Sequence, residues 1–230
     1  MGQLIKYITG RVYRPILAKY LSSTRTYRYQ GLRLRIPPEV FHPGFFFSTK
    51  LLLQFVGRQR LKGLSFLELG AGSGLISLYA ARKGAFVTAS DINPVAVAYL
   101  KTNSTRNNLP VEVIHSNLFD DLPPRTFDLI AINPPYYSRH PQTDAEYAWY
   151  CGENGEYFTG LFSGLKRYTH DQTAVWMILS DACDLVLIRR LAEQYGLRLD
   201  CVWTKTNWLE RNAIFKIQSL QQYEGRGGNL

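Results

Sequence analysis

Cysteine is scarce. The three residues, Cys151, Cys183 and Cys201, are odd in number and far apart. There is no Cys-x-x-Cys pair and no His/Cys cluster, which argues against zinc and against a disulfide framework, and a reducing cytoplasm fits. No apolar run approaches the roughly 18 residues of a membrane-spanning helix. The N-terminus lacks the continuous apolar core of a secretory signal, and nothing repeats along the chain. Acids are absent from the first 35 positions, which hold Lys6, Arg11, Arg14, Lys19, Arg25, Arg28, Arg33 and Arg35. Those eight leave 19 basic residues against 18 acidic ones, so the +9 net charge belongs almost wholly to the front of the chain. What remains is globular in composition: 230 residues, 46% hydrophobic, suffice for one sizeable domain with a small appendage.

The front segment mixes these bases with apolar residues. Over 3–21 the pattern predicts one or two short amphipathic helices, with Pro15 suited to a first helical position. Residues 27–36 alternate around Gly31, which predicts a hairpin with one apolar and one basic face. Residues 1–36 are therefore expected to form a basic helical and hairpin extension, 37–222 the main domain, and 223–230 a mobile tail. The extension either meets an anionic partner, such as RNA, a ribosome or an acidic membrane surface, or it is a solvated basic face packed on the domain. Residues 37–47 form a rigid aromatic loop, and at least one of Phe45, Phe46 and Phe47 is expected to line a pocket. Ser48 is placed to cap a helix from Thr49 to about residue 56.

From residue 64 onward, strands and helices alternate. Apolar strands are expected at 64–69, 85–91, 111–115, 127–132 and 174–180, with helices at 75–83, 94–107, 156–168 and 184–195 between them. Two last strands, 197–205 and 211–219, are close enough to pair antiparallel. Strands this apolar imply an α/β fold: a doubly wound, mostly parallel sheet covered on both faces.

The most informative stretch is Asn133-Pro134-Pro135-Tyr136. It follows an apolar strand that two prolines cannot continue, since neither has an N–H for the ladder, and Pro134 drives Asn133 out of the helical region. The chain must turn there, at the carboxyl edge of the sheet where ligands of such folds bind. The Asn133 side chain and the Pro134 carbonyl are two acceptors beside the aromatic Tyr136, and Pro135 stiffens the turn. That set suits a planar NH2 whose lone pair is delocalised, with Tyr136 stacked on its plane. The plain alternative is a turn that merely ends a strand.

A second motif follows the first strand: Glu68-x-Gly70-Ala71-Gly72-x-Gly74. A dinucleotide fold wants Gly-x-Gly-x-x-Gly for a pyrophosphate, but here the third glycine comes one residue early and Glu68 would repel a phosphate. Glu68 would instead attract an ammonium. The next strand ends in Asp91, placed to hold the hydroxyls of a ribose, with Ile92 beside it. A ribose and a cationic amine without phosphates describe S-adenosylmethionine. At the end of the third strand, Asn117 and Leu118 are expected at its adenine. His115 is read as a half-buried strand residue, and His42, His140 and His170 show no partner pattern.

On these residues the chain resembles a class I S-adenosylmethionine-dependent methyltransferase. More narrowly, it resembles the HemK-type family that methylates a glutamine side-chain amide in release factors. The resemblance rests on residues 67–74 (Leu-Glu-Leu-Gly-Ala-Gly-Ser-Gly), Asp91-Ile92-Asn93-Pro94, Asn133-Pro134-Pro135-Tyr136 and Gly152-Glu153-Asn154-Gly155. It implies a seven-stranded Rossmann-like sheet with the last strand antiparallel. It also implies that the loop from Val40 to Thr49, with Phe46 and Thr49, helps enclose the cofactor. Asn117 stands where the family usually has an acid, and the family's N-terminal helical domain is longer than residues 1–35. The same four-residue motif serves enzymes acting on the exocyclic amine of adenine or guanine. The expected acceptor is therefore a glutamine in a translation protein, with an RNA or DNA base amine as the alternative and a cofactor-binding non-enzyme as a third reading.

Overall fold

A computed structural model describes residues 22–45, 47–206 and 210–220. The helices expected within 3–21, Phe46 and the tail after residue 222 lie outside the described residues. The chain opens with a hairpin of β1 (Arg25–Tyr29) and β2 (Leu32–Ile36), followed by α1 (Phe47–Val56). Then come β3 (Ser65–Leu69), α2 (Leu75–Arg82), β4 (Phe86–Asp91), α3 (Pro94–Asn107), β5 (Val111–His115) and β6 (Leu129–Ile132). The chain ends in α4 (Glu156–Leu165), β7 (Ala174–Ser180), α5 (Leu185–Gln194), β8 (Leu197–Thr206) and β9 (Arg211–Ser219). The seven longer-range strands form one sheet in the order β5-β4-β3-β6-β7-β9-β8. All neighbours are parallel except β9, which runs against both β7 and β8.

Successive residues of each central strand serve opposite layers. Phe66 of β3, Leu129 and Ala131 of β6 and Ile178 of β7 pack with α1 and α2 on one face. Leu67 and Leu69, Ile130 and Ile132, and Met177 and Leu179 pack with α4 and α5 on the other. Both faces are thus covered, which is why these strands read as unbroken apolar runs. Most boundaries agree with the sequence expectations within one or two residues. Two differ for local reasons. The last turn after α4, Lys166–Tyr168, tightens to a 3-10 turn. The first helix begins at Phe47, so Ser48 lies inside its first turn rather than capping it.

The hairpin is not an appendage. Leu32, Leu34 and Ile36 are buried in the same cluster as α1, α2 and the sheet, while Arg33 and Arg35 face outward. A boundary at 36/37 therefore runs through one core. Because Leu34 is fully buried, Leu34→Ala should destabilise the whole domain by about 3 kcal/mol. Urea unfolding followed on the sheet's own tryptophans reads this, and an unchanged midpoint would show that the hairpin is independent.

Candidate functional site

The sheet's strand order reverses between β3 and β6, which are neighbours while the chain reaches β4 and β5 on the far side. Such a switch point opens a crevice at the carboxyl ends of its strands. The parallel register pairs Leu69 with Ile132, so the glycine turn after β3 and the Asn133 turn after β6 emerge side by side. Asp91 ends β4, paired with His115 at the end of β5. Around these ends lies a cavity of 330 Å³, within the size range of small-molecule sites.

The cavity wall brings together Thr49, Glu68, Gly70, Ala71, Gly72, Asp91, Ile92, Asn117, Leu118 and the four residues Asn133, Pro134, Pro135 and Tyr136. Phe46 lies outside the described residues. Gly74, expected at the ligand, does not line the cavity. Its backbone is left-handed, and a Cβ there would stand 2.7 Å from Leu100 Cγ, so its glycine serves the packing of α3.

The glycine turn is pinned from below. Asp91 Oδ2 accepts the Gly72 N–H (2.7 Å) and Oδ1 accepts the Asn93 N–H (2.9 Å). Each oxygen keeps a further lone pair that a ribose hydroxyl could use. Burial raises the Asp91 carboxyl, opposed by those two N–H bonds. Glu68 is buried and accepts both the backbone N–H and the hydroxyl of Ser77 in α2. Burial nevertheless pushes its carboxyl up to about 8. A ligand cation brought beside it would restore the ionised form.

After β5, Asn117 lines the cavity and its Nδ2 donates to Asp120 Oδ2 (3.3 Å). Leu118 holds a left-handed φ of 50° on the cavity wall, a conformation an L-residue adopts only under constraint. His115 is exposed rather than half-buried, and its Nε2 meets the Ile92 carbonyl at 2.8 Å. The other histidines have structural neighbours after all: His170 pairs with Asp128 (3.2 Å), His140 stands 4.0 Å from Glu156, and buried His42 packs its ring on Tyr27 and Phe45.

At the turn itself, the Tyr136 hydroxyl donates to Asn133 Oδ1 at 2.7 Å. Tyr136 also shares a side-chain hydrogen bond with Ser48, and Asn133 Nδ2 points to Thr49 Oγ1 (3.4 Å). Burial raises the Tyr136 phenol, so it stays a neutral donor. This chain of contacts holds the Asn133 amide in one orientation. Ser48 was missed as a site residue because its sequence position resembles a helix cap. The segment after the turn is closed at its base, with the Tyr136 and Tyr137 N–H groups both donating to the Trp149 carbonyl (3.0 and 2.9 Å). It adds Tyr137, Asp144, Tyr147 and Trp149 to the wall, which Asp181 and Glu210 also line. No spacing in the sequence marked these. Among the described residues, every charged side chain on the wall is acidic: Glu39, Glu68, Asp91, Asp144, Asp181 and Glu210.

A seven-stranded sheet with one reversed strand and a cavity at this switch point is the class I methyltransferase fold. Its likeness to solved structures agrees. A methyltransferase from Pyrococcus furiosus superposes with a TM-score of 0.60 over 92% of this chain and 99% of its own, at 20% identity. The E. cuniculi Mtq2–Trm112 complex, described as responsible for methylating the termination factor eRF1, gives 0.60 over 79% of this chain at 19% identity. The methyltransferase small domain model matches residues 32–150, and the chain belongs to that family. Among curated relatives, a putative protein N5-glutamine methyltransferase of Methanocaldococcus jannaschii is 40% identical over 46% of this chain and 52% of its own length. The release factor glutamine methyltransferase of Chlamydia trachomatis is 32% identical over 65% and 52% respectively. The chain thus spans about half the length of these two relatives. The cofactor of this family is S-adenosylmethionine, and the wall is compatible with a cationic ligand: it carries Glu68 and Asp91 and, among the described residues, no Lys or Arg.

Glu68 has a measurable consequence. Its ordinary value is 4.5 and its folded value about 8, so the native state holds a proton that the unfolded chain releases between these limits. The stability this contributes is complete below pH 4.5 and is lost as pH rises towards 8. Relative to Glu68→Gln, the wild type should lose on the order of a few kcal/mol across that window. Urea unfolding of both proteins at pH 5 and pH 8 checks this, and parallel profiles would mean that Glu68 titrates normally.

Proposed function

We propose that the chain is an S-adenosylmethionine-dependent N-methyltransferase acting in the cytoplasm on the side-chain amide of a glutamine in a translation protein. The observation that carries this reading is the fixed Asn133 amide at the switch point, held by Tyr136, Ser48 and Thr49. When bound, S-adenosylmethionine supplies a methyl group on a sulfonium, open to in-line attack. Asn133 Oδ1 has two lone pairs. Tyr136 uses one, and the other accepts one N–H of the target. The Pro134 carbonyl accepts the second N–H. With both hydrogens held, the target nitrogen presents its lone pair out of the amide plane, and ordering of this kind is a major source of rate. The proton leaves after transfer, so no general base is needed. Pro135 stiffens the turn, and Tyr136 both walls the target and orients Asn133. Glu68 receives the cofactor amine, Asp91 the ribose, and Asn117, Ile92 and Leu118 the adenine, while Gly70, Ala71, Gly72 and Thr49 shape the walls.

The names of the relatives support a glutamine acceptor in a release factor. The all-acidic wall supports a protein over a nucleic acid, because phosphates would meet like charge at the cavity. One observation favours the second reading, an RNA base amine: Arg35, Lys101 and Arg106 share a separate groove with Thr102 and Thr105. Phosphates could dock there.

Asn133→Ala should bind the cofactor within a few-fold of wild type while turnover falls about 10²–10³-fold, the cost of losing one transition-state contact of this kind. Calorimetry and methyl transfer measured together read the two effects. An equal fall in both would make Asn133 a structural residue. The acceptor class is read by transferring labelled methyl into a cell extract. Label that survives RNase and is lost to protease is the expected outcome. Label lost to RNase would establish the base-amine reading instead.

A further inference from the structure

Helix α3 holds the hairpin by an unusual pairing. Asn103 and Asn107 lie one turn apart on the same helix face. The Arg33 N–H donates to Asn107 Oδ1 (2.9 Å), and Asn107 Nδ2 donates back to the Arg33 carbonyl (2.8 Å). Arg35 does the same with Asn103, at 2.8 and 3.1 Å. These are the outward edge groups of β2, and two side-chain amides stand in for the peptides of a third strand. The spacing permits it: four helical residues rise about 6 Å and two strand residues about 6.7 Å.

The two asparagines then differ. The remaining N–H bond of Asn107 goes to the carbonyl of Asn103 within the helix. That of Asn103, which is fully buried, goes to the carbonyl of Ser73 at 3.0 Å. Ser73 lies between Gly72 and Gly74, and both it and Gly72 line the cavity. The turn is thereby held from two sides, with Asp91 on the Gly72 N–H and Asn103 on the Ser73 carbonyl. Leu100, one turn earlier in α3, fills the space left by Gly74.

We infer that Asn103 is a positioning residue for the cofactor: it sets the glycine turn through the Ser73 carbonyl and couples the seating of the β1–β2 hairpin to cofactor affinity. The inference rests on the cofactor reading above. Asn107 performs the same clamp on the hairpin without touching the turn, so it is an internal control for mere structural support.

The experiment is calorimetric titration of S-adenosylmethionine into wild type, Asn103→Ala and Asn107→Ala, with urea unfolding of each. Wild type should bind. Asn103→Ala should bind about tenfold more weakly, the scale of one buried hydrogen bond. Asn107→Ala should bind within twofold of wild type, although it too loses stability. Failure of wild type to bind would overturn the cofactor reading itself. Binding by wild type, with the two variants equal to it or equally weakened, would overturn the role of Asn103 alone. Amide hydrogen exchange of the wild type needs no variant to fold. Cofactor should slow exchange of the Arg35 N–H about tenfold and that of the Arg33 N–H less than twofold. Equal slowing at both positions would mean that the clamp is a single structural unit, and the inference would fail.

Discussion

The parallel pairing of β3 with β6 is the constraint on which the site depends. Its register, Leu69 beside Ile132, decides that the glycine turn and the Asn133 turn leave the sheet together. Chain order alone would not do this, because more than sixty residues separate them. The pairing holds because both strands are buried on both faces, so a shift of one residue would exchange every side chain between layers. Two stiff turns side by side then leave a crevice that neither could form alone.

Charge within that crevice divides its labour. Among the described residues its wall carries acids and no Lys or Arg, and the two deepest, Glu68 and Asp91, are held by backbone N–H groups and a hydroxyl. An arginine partner would have neutralised them. A carboxylate supported only by dipoles keeps its attraction for a cation, and Glu68, raised by burial, gains its charge when one arrives. Outside the cavity, Arg33 and Arg35 face outward on the hairpin, and Arg35 shares a groove with Lys101 and Arg106 of α3.

The turn chemistry carries a similar division. Pro134 and Pro135 end β6 and direct the backbone, but they do not orient the Asn133 amide. That falls to Tyr136, Ser48 and Thr49, two of them from α1, more than eighty residues earlier. Helix α1 therefore helps to set the Asn133 turn as well as covering the sheet. A free amide could turn either its oxygen or its nitrogen to the cavity. With the Tyr136 hydroxyl on its oxygen, it has one arrangement.

Much of this was legible from residues alone, because it follows from local rules. Apolar runs of strand length, prolines that forbid a ladder, glycines with positive φ and an acid at a strand end each act through their immediate neighbours. From them came the strand-helix alternation, the antiparallel final pair and the gathering of Glu68, Asp91 and Asn133 at one edge of the sheet. What the residues did not disclose depends on contacts distant in sequence. Ser48 reads as a cap until Tyr136 is brought to it. Gly74 reads as a ligand contact until Leu100 fills its place. Arg33 and Arg35 read as the edge of an appendage until Asn103 and Asn107 pair with it. Local sterics and hydrophobic periodicity determined which elements form and where the chain must turn; only the packed sheet decided which side chains meet, since hydrogen bonds and close packing act over a few ångströms whatever the separation along the chain.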